Sequence, residues 1–148
     1  MTPTLAGRIQ TRLLLLSTIG LAWVVLVAAL LGGSASPSYT DRLRAGVAAL
    51  IITMLLGVVW ELVYHAAQQY RWEKDWPTGL ALAVGLTEGT AVWFALNTAA
   101  RRSTLVPSMT VPMFVVVFGT TWLLIWLFAS GPMRVVALRW RYRGGRLL

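Results

Sequence analysis

Four long apolar runs, separated by short polar segments, form the hydrophobic pattern of the chain. They cover about residues 13–33, 45–67, 79–100 and 111–130. Each run is close to the roughly 20 residues that an α-helix needs to cross the core of a bilayer. Because the segments between the runs are short, consecutive helices are expected to be antiparallel neighbours. The pattern therefore predicts an all-α membrane protein, in which four transmembrane helices form an antiparallel bundle and residues 1–148 form a single membrane domain.

The amino-acid composition favours the same class. The 148 residues are 57% hydrophobic and 12% charged, whereas a soluble domain is about one quarter charged. The chain contains no cysteine, which excludes disulfides, thiolate metal sites and thiol nucleophiles. Its basic residues lie in short segments between apolar runs and do not form a soluble basic surface, so no nucleic-acid partner is expected.

The distribution of Lys and Arg predicts that both termini are cytoplasmic (N-in, C-in), since cytoplasmic segments of membrane proteins retain positive charges. Nine basic residues fall on the side of the termini and four on the opposite side. Without the C-terminal tail the count would be four against four, so the orientation depends on that tail. The arginine-rich usage is typical of a bacterium with a GC-rich genome, and we expect the bacterial inner membrane. The nine are Arg8, Arg12, Arg71, Lys74, Arg134, Arg139, Arg141, Arg143 and Arg146, and the four are Arg42, Arg44, Arg101 and Arg102.

Three ionisable side chains lie inside the apolar runs: Glu61 and His65 in the second, and Glu88 in the third. A charged Asp, Lys or Arg at the centre of a membrane helix costs about 2.5 to 3.5 kcal/mol on insertion scales, and such residues mark functional sites. In a hairpin of the two helices, the two glutamates lie within about one helical turn of the same depth. The three side chains are expected to converge, with one carboxylate holding a proton at neutral pH unless His65 or a cation compensates. Tyr64 and Gln68 share the face of Glu61 and are expected to add polar lining.

Four interpretations of this polar site are open at the level of the sequence. Glu61, His65 and Glu88 form a structural lock between two helices, a site that couples transport to protons or cations, a metal site, or an acid–base pair of a membrane enzyme. In the metal interpretation, Tyr64, Gln68 or a second subunit completes the ligand set. The chain has no catalytic signature such as a histidine cluster, a CxxC pair or a nucleophile elbow, so no enzymatic activity is expected. No cofactor is predicted besides the metal ion of that one interpretation.

Small residues predict close helix contacts on the second and third helices. Gly57 lies on the face of Glu61, and Ala81, Gly85 and Gly89 form a strip that contains a GxxxG spacing. Such residues allow two helix backbones to approach each other. Packing within one chain and dimerisation both use this spacing, and both interpretations are kept.

Aromatic residues follow two patterns. Trp72 and Trp76 come after the second helix, where they are expected to form an aromatic belt at the headgroups or a docking surface for a cytoplasmic partner. Phe118, Trp122 and Trp126 recur every four residues on the fourth helix and therefore share one face. That face is expected either to pack within the chain or to contact a partner.

The C-terminal segment, residues 133–148, combines arginines with aromatic residues and contains no acid. It is predicted to be an amphipathic cytoplasmic tail on anionic lipid headgroups, to which each basic residue contributes about 1 kcal/mol. Insertion into a partner protein is the alternative. The residues expected at the headgroups are Arg134, Arg139, Trp140, Arg141, Tyr142 and Arg143.

Together these features favour a small accessory or assembly subunit of a larger inner-membrane complex, with a buried Glu/His site. The alternative is a proton- or cation-coupled transporter that works as a homo-oligomer, because four helices leave little room for an internal pathway. The first function predicts stable association with a different membrane protein. The second predicts self-association and substrate binding that depends on pH.

Overall fold

The computed structural model describes residues 4–32, 37–69 and 78–136, and at residues 68, 69, 78–83, 134 and 136 it describes the backbone alone. Within these ranges the chain is helical and contains no strand. Helix α1 (Leu5–Leu15) continues through a π-helical turn (Leu16–Gly20) into α2 (Leu21–Leu30). It is followed by α3 (Tyr39–Gln69), α4 (Thr78–Arg102), α5 (Val111–Ser130) and the short α6 (Pro132–Val136).

Three helical segments within the described ranges are long and apolar enough to cross a membrane. They are Leu5–Leu30, Tyr39–Ala67 and Val111–Ser130, with mean hydropathies of 2.6, 2.3 and 2.1. The predicted class, an all-helical chain with several candidate membrane spans, is therefore confirmed.

The first helix begins at Leu5, well before the start near residue 13 that the apolar run predicts. Thr4 is its N-cap, and the Thr4 hydroxyl accepts a hydrogen bond from the backbone N–H of Gly7 at 3.2 Å. This type of cap satisfies a backbone donor that the first turn leaves free. As a result Arg8 and Arg12 are part of α1 and do not precede it.

The start of α3 is tied to the end of α2 by a buried arginine. Ser38 accepts a hydrogen bond from the Asp41 backbone N–H at 3.2 Å and so caps α3. One turn into the helix, Arg42 is only 7% exposed and donates from Nε to the carbonyl oxygen of Ala28 at 2.8 Å. A cation that donates to a carbonyl in the last turn of a helix satisfies an otherwise free acceptor and complements the helix dipole.

Along α3, the contacts with α1 and α2 run in opposite chain directions. On α3, Gly46 lies against Val24 of α2, whereas Gly57 lies against Arg12 of α1. Helix α5 contacts each of the helices α1 to α4. Two groups of buried apolar residues fill the contacts. One comprises Leu16, Val24, Val27, Leu50 and Val117, and the other Ala45, Ala49, Val92, Leu96, Met109 and Phe114.

The buried apolar residues and the charged residues lie in different parts of the same helices. The buried apolar residues of α3 belong to its first half, and Glu61 lies in its second half. Helix α1 buries Gly7, Thr11 and Leu15, a face that offers little apolar surface. Towards the start of α1, contacts between charged side chains therefore take the place of apolar packing.

Candidate functional site

Two arginines of α1 meet two glutamates of α3 and α4 inside the structure. Nε of Arg8 lies 3.3 Å from Oε2 of Glu61, and Nη1 of Arg12 lies 3.7 Å from Oε1 of Glu61. Nη2 of Arg12 also pairs directly with Oε1 of Glu88. We refer to Arg8, Arg12, Glu61 and Glu88 as the ionic cluster. Since Arg12 contacts both carboxylates, it links α1 to α3 and to α4.

The local sequence explains why the arginines reach these partners. Arg8 and Arg12 are four residues apart, so their side chains leave the same face of α1 one turn apart. The planar guanidinium offers five N–H donors in a fixed geometry, which allows one arginine to serve two carboxylates. The two positive and two negative charges balance, and the ionic cluster is formally neutral.

Burial differs strongly among the four side chains. Glu88 is 0% exposed, while Arg8, Arg12 and Glu61 are between 15% and 19% exposed. An unpaired charge at the position of Glu88 would carry a large desolvation penalty, and the contact with Arg12 offsets part of it. The cluster is therefore closed on the side of α4 and reaches the protein surface on the side of α1 and α3.

Gly57 provides the space that Arg12 occupies. A Cβ atom at this position would lie 2.7 Å from Cζ of Arg12, a distance well inside van der Waals contact. From the sequence, Gly57 is predicted at a helix contact. In the structure its nearest neighbour is the guanidinium of the ionic cluster.

The other two glycines that the sequence placed at helix contacts lie under aromatic rings of α5. A Cβ at Gly85 would be 2.8 Å from the indole of Trp122, and one at Gly89 would be 2.8 Å from the ring of Phe118. Phe118 stacks on Phe114, with ring centroids 5.3 Å apart. Two members of the aromatic face thus pack within the chain.

The structure describes several other predicted site residues only in part or not at all. Trp126 is partly buried on α5. For Gln68 and Ala81 the structure gives the helix position but no side chain, and the same is true of Arg134 in α6. Trp72, Trp76, Arg139, Trp140, Arg141, Tyr142 and Arg143 lie outside the described residues, so the predicted belt and tail remain predictions.

Tyr64 and His65 lie one turn beyond Glu61 on α3. The Tyr64 ring stacks on Trp60, with centroids 5.9 Å apart, and its hydroxyl shares a hydrogen bond with Thr87, the residue before Glu88. His65 is partly buried, but the ion pairs of the described residues do not include it. The structure thus joins Glu61 to Glu88 through Arg12.

The site presents its carboxylates to arginines. In the part of the chain that the structure describes, no three or more His, Asp or Glu side chains are grouped in a way that could hold a metal ion. Glu61 and Glu88 are the two carboxylates of the site, and the guanidinium of Arg12 lies between them. In this arrangement the cluster holds three helices together.

Arg8 and Arg12 are not among the site residues predicted from the sequence, where they are flanking charges that set the orientation. Their four-residue spacing was the available signal. A second signal was the pair of acids, Glu61 and Glu88, inside apolar runs. These runs contain no Lys or Arg, so compensating cations had to come from another segment. The ionic cluster is the feature from which a function is inferred, since no protein-family model, curated protein or solved structure matches the chain.

Proposed function

We propose that the chain is a multi-pass protein of the bacterial inner membrane and serves as an accessory or assembly subunit of a larger membrane complex. All four long helices cross the bilayer in this proposal, as an antiparallel bundle. Helix α4 contains Glu88, but the pairing with Arg12 compensates that charge. The exposed residues of α4 include Leu86 and Phe94, which are 76% and 71% exposed, and threonines such as Thr90 and Thr98, whose hydroxyls donate to carbonyl oxygens of the same helix. A helix with such a surface is suited to contact with lipid or with other membrane helices.

The observation that carries this proposal is the pairing of Glu61 and Glu88 with the arginines of α1. In this proposal the charges at membrane depth hold α1, α3 and α4 together, and many of the large side chains exposed on the outside are apolar, such as Leu55 and Leu62. A bundle that is held together by buried ion pairs and exposes many large apolar side chains has the properties of a subunit that supports a neighbour. The proposal assigns the chain no enzymatic role, no cofactor and no nucleic-acid partner, and it includes anionic headgroups as a binding surface for the C-terminal tail.

The test is purification of the tagged full-length chain from its native membrane in a mild detergent, followed by mass spectrometry and a native gel. The expected result is one different membrane protein in a fixed stoichiometry. A tag on that second protein should in turn recover this chain. Removal of the chain from the cells should leave the second protein unassembled.

Variants of the carboxylates show whether the ionic cluster supports the complex. Glu88→Gln removes the charge inside the ionic cluster, and it is expected to reduce the recovery of the partner. Glu73→Gln makes the same chemical change outside the apolar runs and serves as the control. Recovery of this chain alone, as a homo-oligomer, would contradict the proposal and favour the coupled transporter.

A further inference from the structure

We propose that the end of the structure at which α3 begins and α4 ends binds the headgroups of anionic phospholipids. The surface consists of three exposed arginines and two exposed residues with large rings or chains, and we refer to it as the basic edge. Its members are Tyr39, Arg44, Arg101, Arg102 and Leu105. The inference rests on the proposed placement of the helices across the bilayer, and it does not require the partner complex. The ligand is a lipid with a net negative charge, such as phosphatidylglycerol.

Helices α3 and α4 run antiparallel, which brings the start of one beside the end of the other. Ala45, near the start of α3, belongs to the same buried apolar group as Leu96, near the end of α4. Further along the pair, Glu61 of α3 and Glu88 of α4 both contact Arg12. Higher residue numbers on α3 therefore lie beside lower numbers on α4.

This arrangement places the three arginines at one end of the structure. Arg44 directly precedes Ala45, and Arg101 and Arg102 follow Leu96 within about two helical turns. All three arginines are exposed. The basic edge thus draws its positive charge from two neighbouring helices.

Two large side chains flank the arginines. Leu105 follows α4 and is 79% exposed, and Tyr39 is the first residue of α3 and is 42% exposed. The backbone N–H of Leu105 donates to the Ser103 hydroxyl at 3.2 Å, which fixes the turn that presents it. Tyrosine at the level of the headgroups and apolar side chains beside basic residues are typical of surfaces that contact the membrane interface.

The charge of this end is not neutralised within the part of the chain that the structure describes. The ion pairs between described residues do not include Arg44, Arg101 or Arg102. Asp41 is the acid of this end, and its Oδ2 accepts a hydrogen bond from the Ser38 hydroxyl at 2.6 Å. Residues 37–44 and 99–111 together contain four arginines and one aspartate, a net charge of +3. Such a surface is complementary to anionic headgroups.

The orientation gives these arginines a cost that a ligand offsets. In the proposed N-in, C-in orientation the basic edge lies on the side away from the cytoplasm, where basic residues are disfavoured. A guanidinium matches the geometry of a phosphate and donates two parallel hydrogen bonds to it. Free phosphate lacks the acyl chains that Leu105 and Tyr39 can contact, so the ligand that fits both parts of the surface is a lipid.

The experiment measures which lipids lie beside the basic edge of the full-length chain in vesicles. Because the chain has no cysteine, Thr104→Cys places one fluorophore in the exposed connection next to Leu105. Bromine on the acyl chain of a lipid quenches a fluorophore that it contacts. Two vesicle preparations contain the same minor fraction of phosphatidylglycerol in phosphatidylcholine. In one the phosphatidylglycerol is brominated, and in the other an equal amount of the phosphatidylcholine is brominated.

The expected result is quenching by brominated phosphatidylglycerol that exceeds quenching by brominated phosphatidylcholine by about threefold or more, since one basic residue near an anionic surface contributes about a fivefold preference. High salt should reduce the difference, because it screens exposed charges. The combined variant Arg44→Gln/Arg101→Gln/Arg102→Gln is expected to remove the preference. The matched control makes the same change at three arginines of the C-terminal segment and is expected to keep the preference: Arg139→Gln, Arg141→Gln and Arg143→Gln.

A second fluorophore, at Leu123→Cys, separates failure of this proposal from failure of the membrane placement. Leu123 lies near the middle of α5 and is 46% exposed. If both lipids quench this probe but quench the probe at position 104 equally, the basic edge has no preference for anionic lipid, and the proposal is overturned in favour of an acidic partner protein. A preference that persists in the combined Gln variant also overturns it. Absence of quenching at both positions overturns the placement across the bilayer together with this proposal.

Discussion

Arg12 is the residue on which the ionic cluster depends most, because its guanidinium contacts both carboxylates. Removal of one partner of a buried ion pair is costly, whereas replacement of both partners by apolar side chains is often neutral. We therefore expect Arg12→Met to lower the free energy of unfolding by about 3 kcal/mol. The double variant Arg12→Met/Glu88→Met should recover more than half of that loss. Denaturant unfolding in micelles, followed through the fluorescence of the eight tryptophans, measures both values.

Arg44→Met is the matched control for this pair of variants. Arg44 is exposed near the start of α3, and it is replaced by the same apolar side chain. A surface substitution of this kind changes stability by about 0.5 kcal/mol or less. If Arg12→Met cost no more than Arg44→Met, the contact between Arg12 and Glu88 would not stabilise the fold.

At the scale of helices, the positions of α4 and α5 and the end of α3 could be predicted from apolar runs, but the starts of α1 at Leu5 and of α3 at Tyr39 could not. A run ends where charged residues begin, because an isolated charge is expensive in lipid. Arg8 and Arg12 are tolerated inside α1 because Glu61 and Glu88, on other helices, compensate them. A hydropathy average along one segment does not include a charged partner on another helix. The two glutamates could be found, since each is a charge within an otherwise apolar run.

The contact between α4 and α5 depends on glycines that lie under aromatic rings. A Cβ at Gly85 would stand 2.8 Å from the indole of Trp122. We expect Gly85→Ala to force these helices apart and to destabilise the chain by about 1 to 3 kcal/mol, the usual cost of overpacking. Thermal unfolding in detergent measures the difference from wild type.

Gly119 allows the same substitution to be made on the open face of α5. A Cβ at Gly119 would have nothing within 4 Å. Gly119→Ala is expected to be neutral or to stabilise the helix by up to about 1 kcal/mol, through helix propensity alone. Equal effects of the two substitutions would mean that contact with Trp122 does not set the distance between α4 and α5.

At the scale of the whole molecule, the ionic cluster changes the argument about orientation. Arg8 and Arg12 are two of the nine basic residues on the side of the termini. Their charges are balanced by Glu61 and Glu88. If these two arginines are left out of the count, seven basic residues remain on the side of the termini and four on the opposite side. Most of the seven belong to the C-terminal tail. The proposed N-in, C-in orientation therefore rests on the tail even more than the sequence alone indicates.

Substitution of Arg139, Arg141, Arg143 and Arg146 by Gln tests this dependence. On the count that leaves out Arg8 and Arg12, the bias falls from seven against four to three against four, so a single orientation should become a mixture. The native chain has no cysteine, and Thr104→Cys introduces one in the exposed connection between α4 and α5. In intact cells, a membrane-impermeant maleimide should label this cysteine fully in the parent chain and partly in the Gln variant. Lys at the same four positions keeps the charge and should preserve full labelling. Full labelling of the Gln variant would show that the tail does not set the orientation. Loss of labelling in the Lys variant would show that the tail acts through specific arginine contacts and not through its charge.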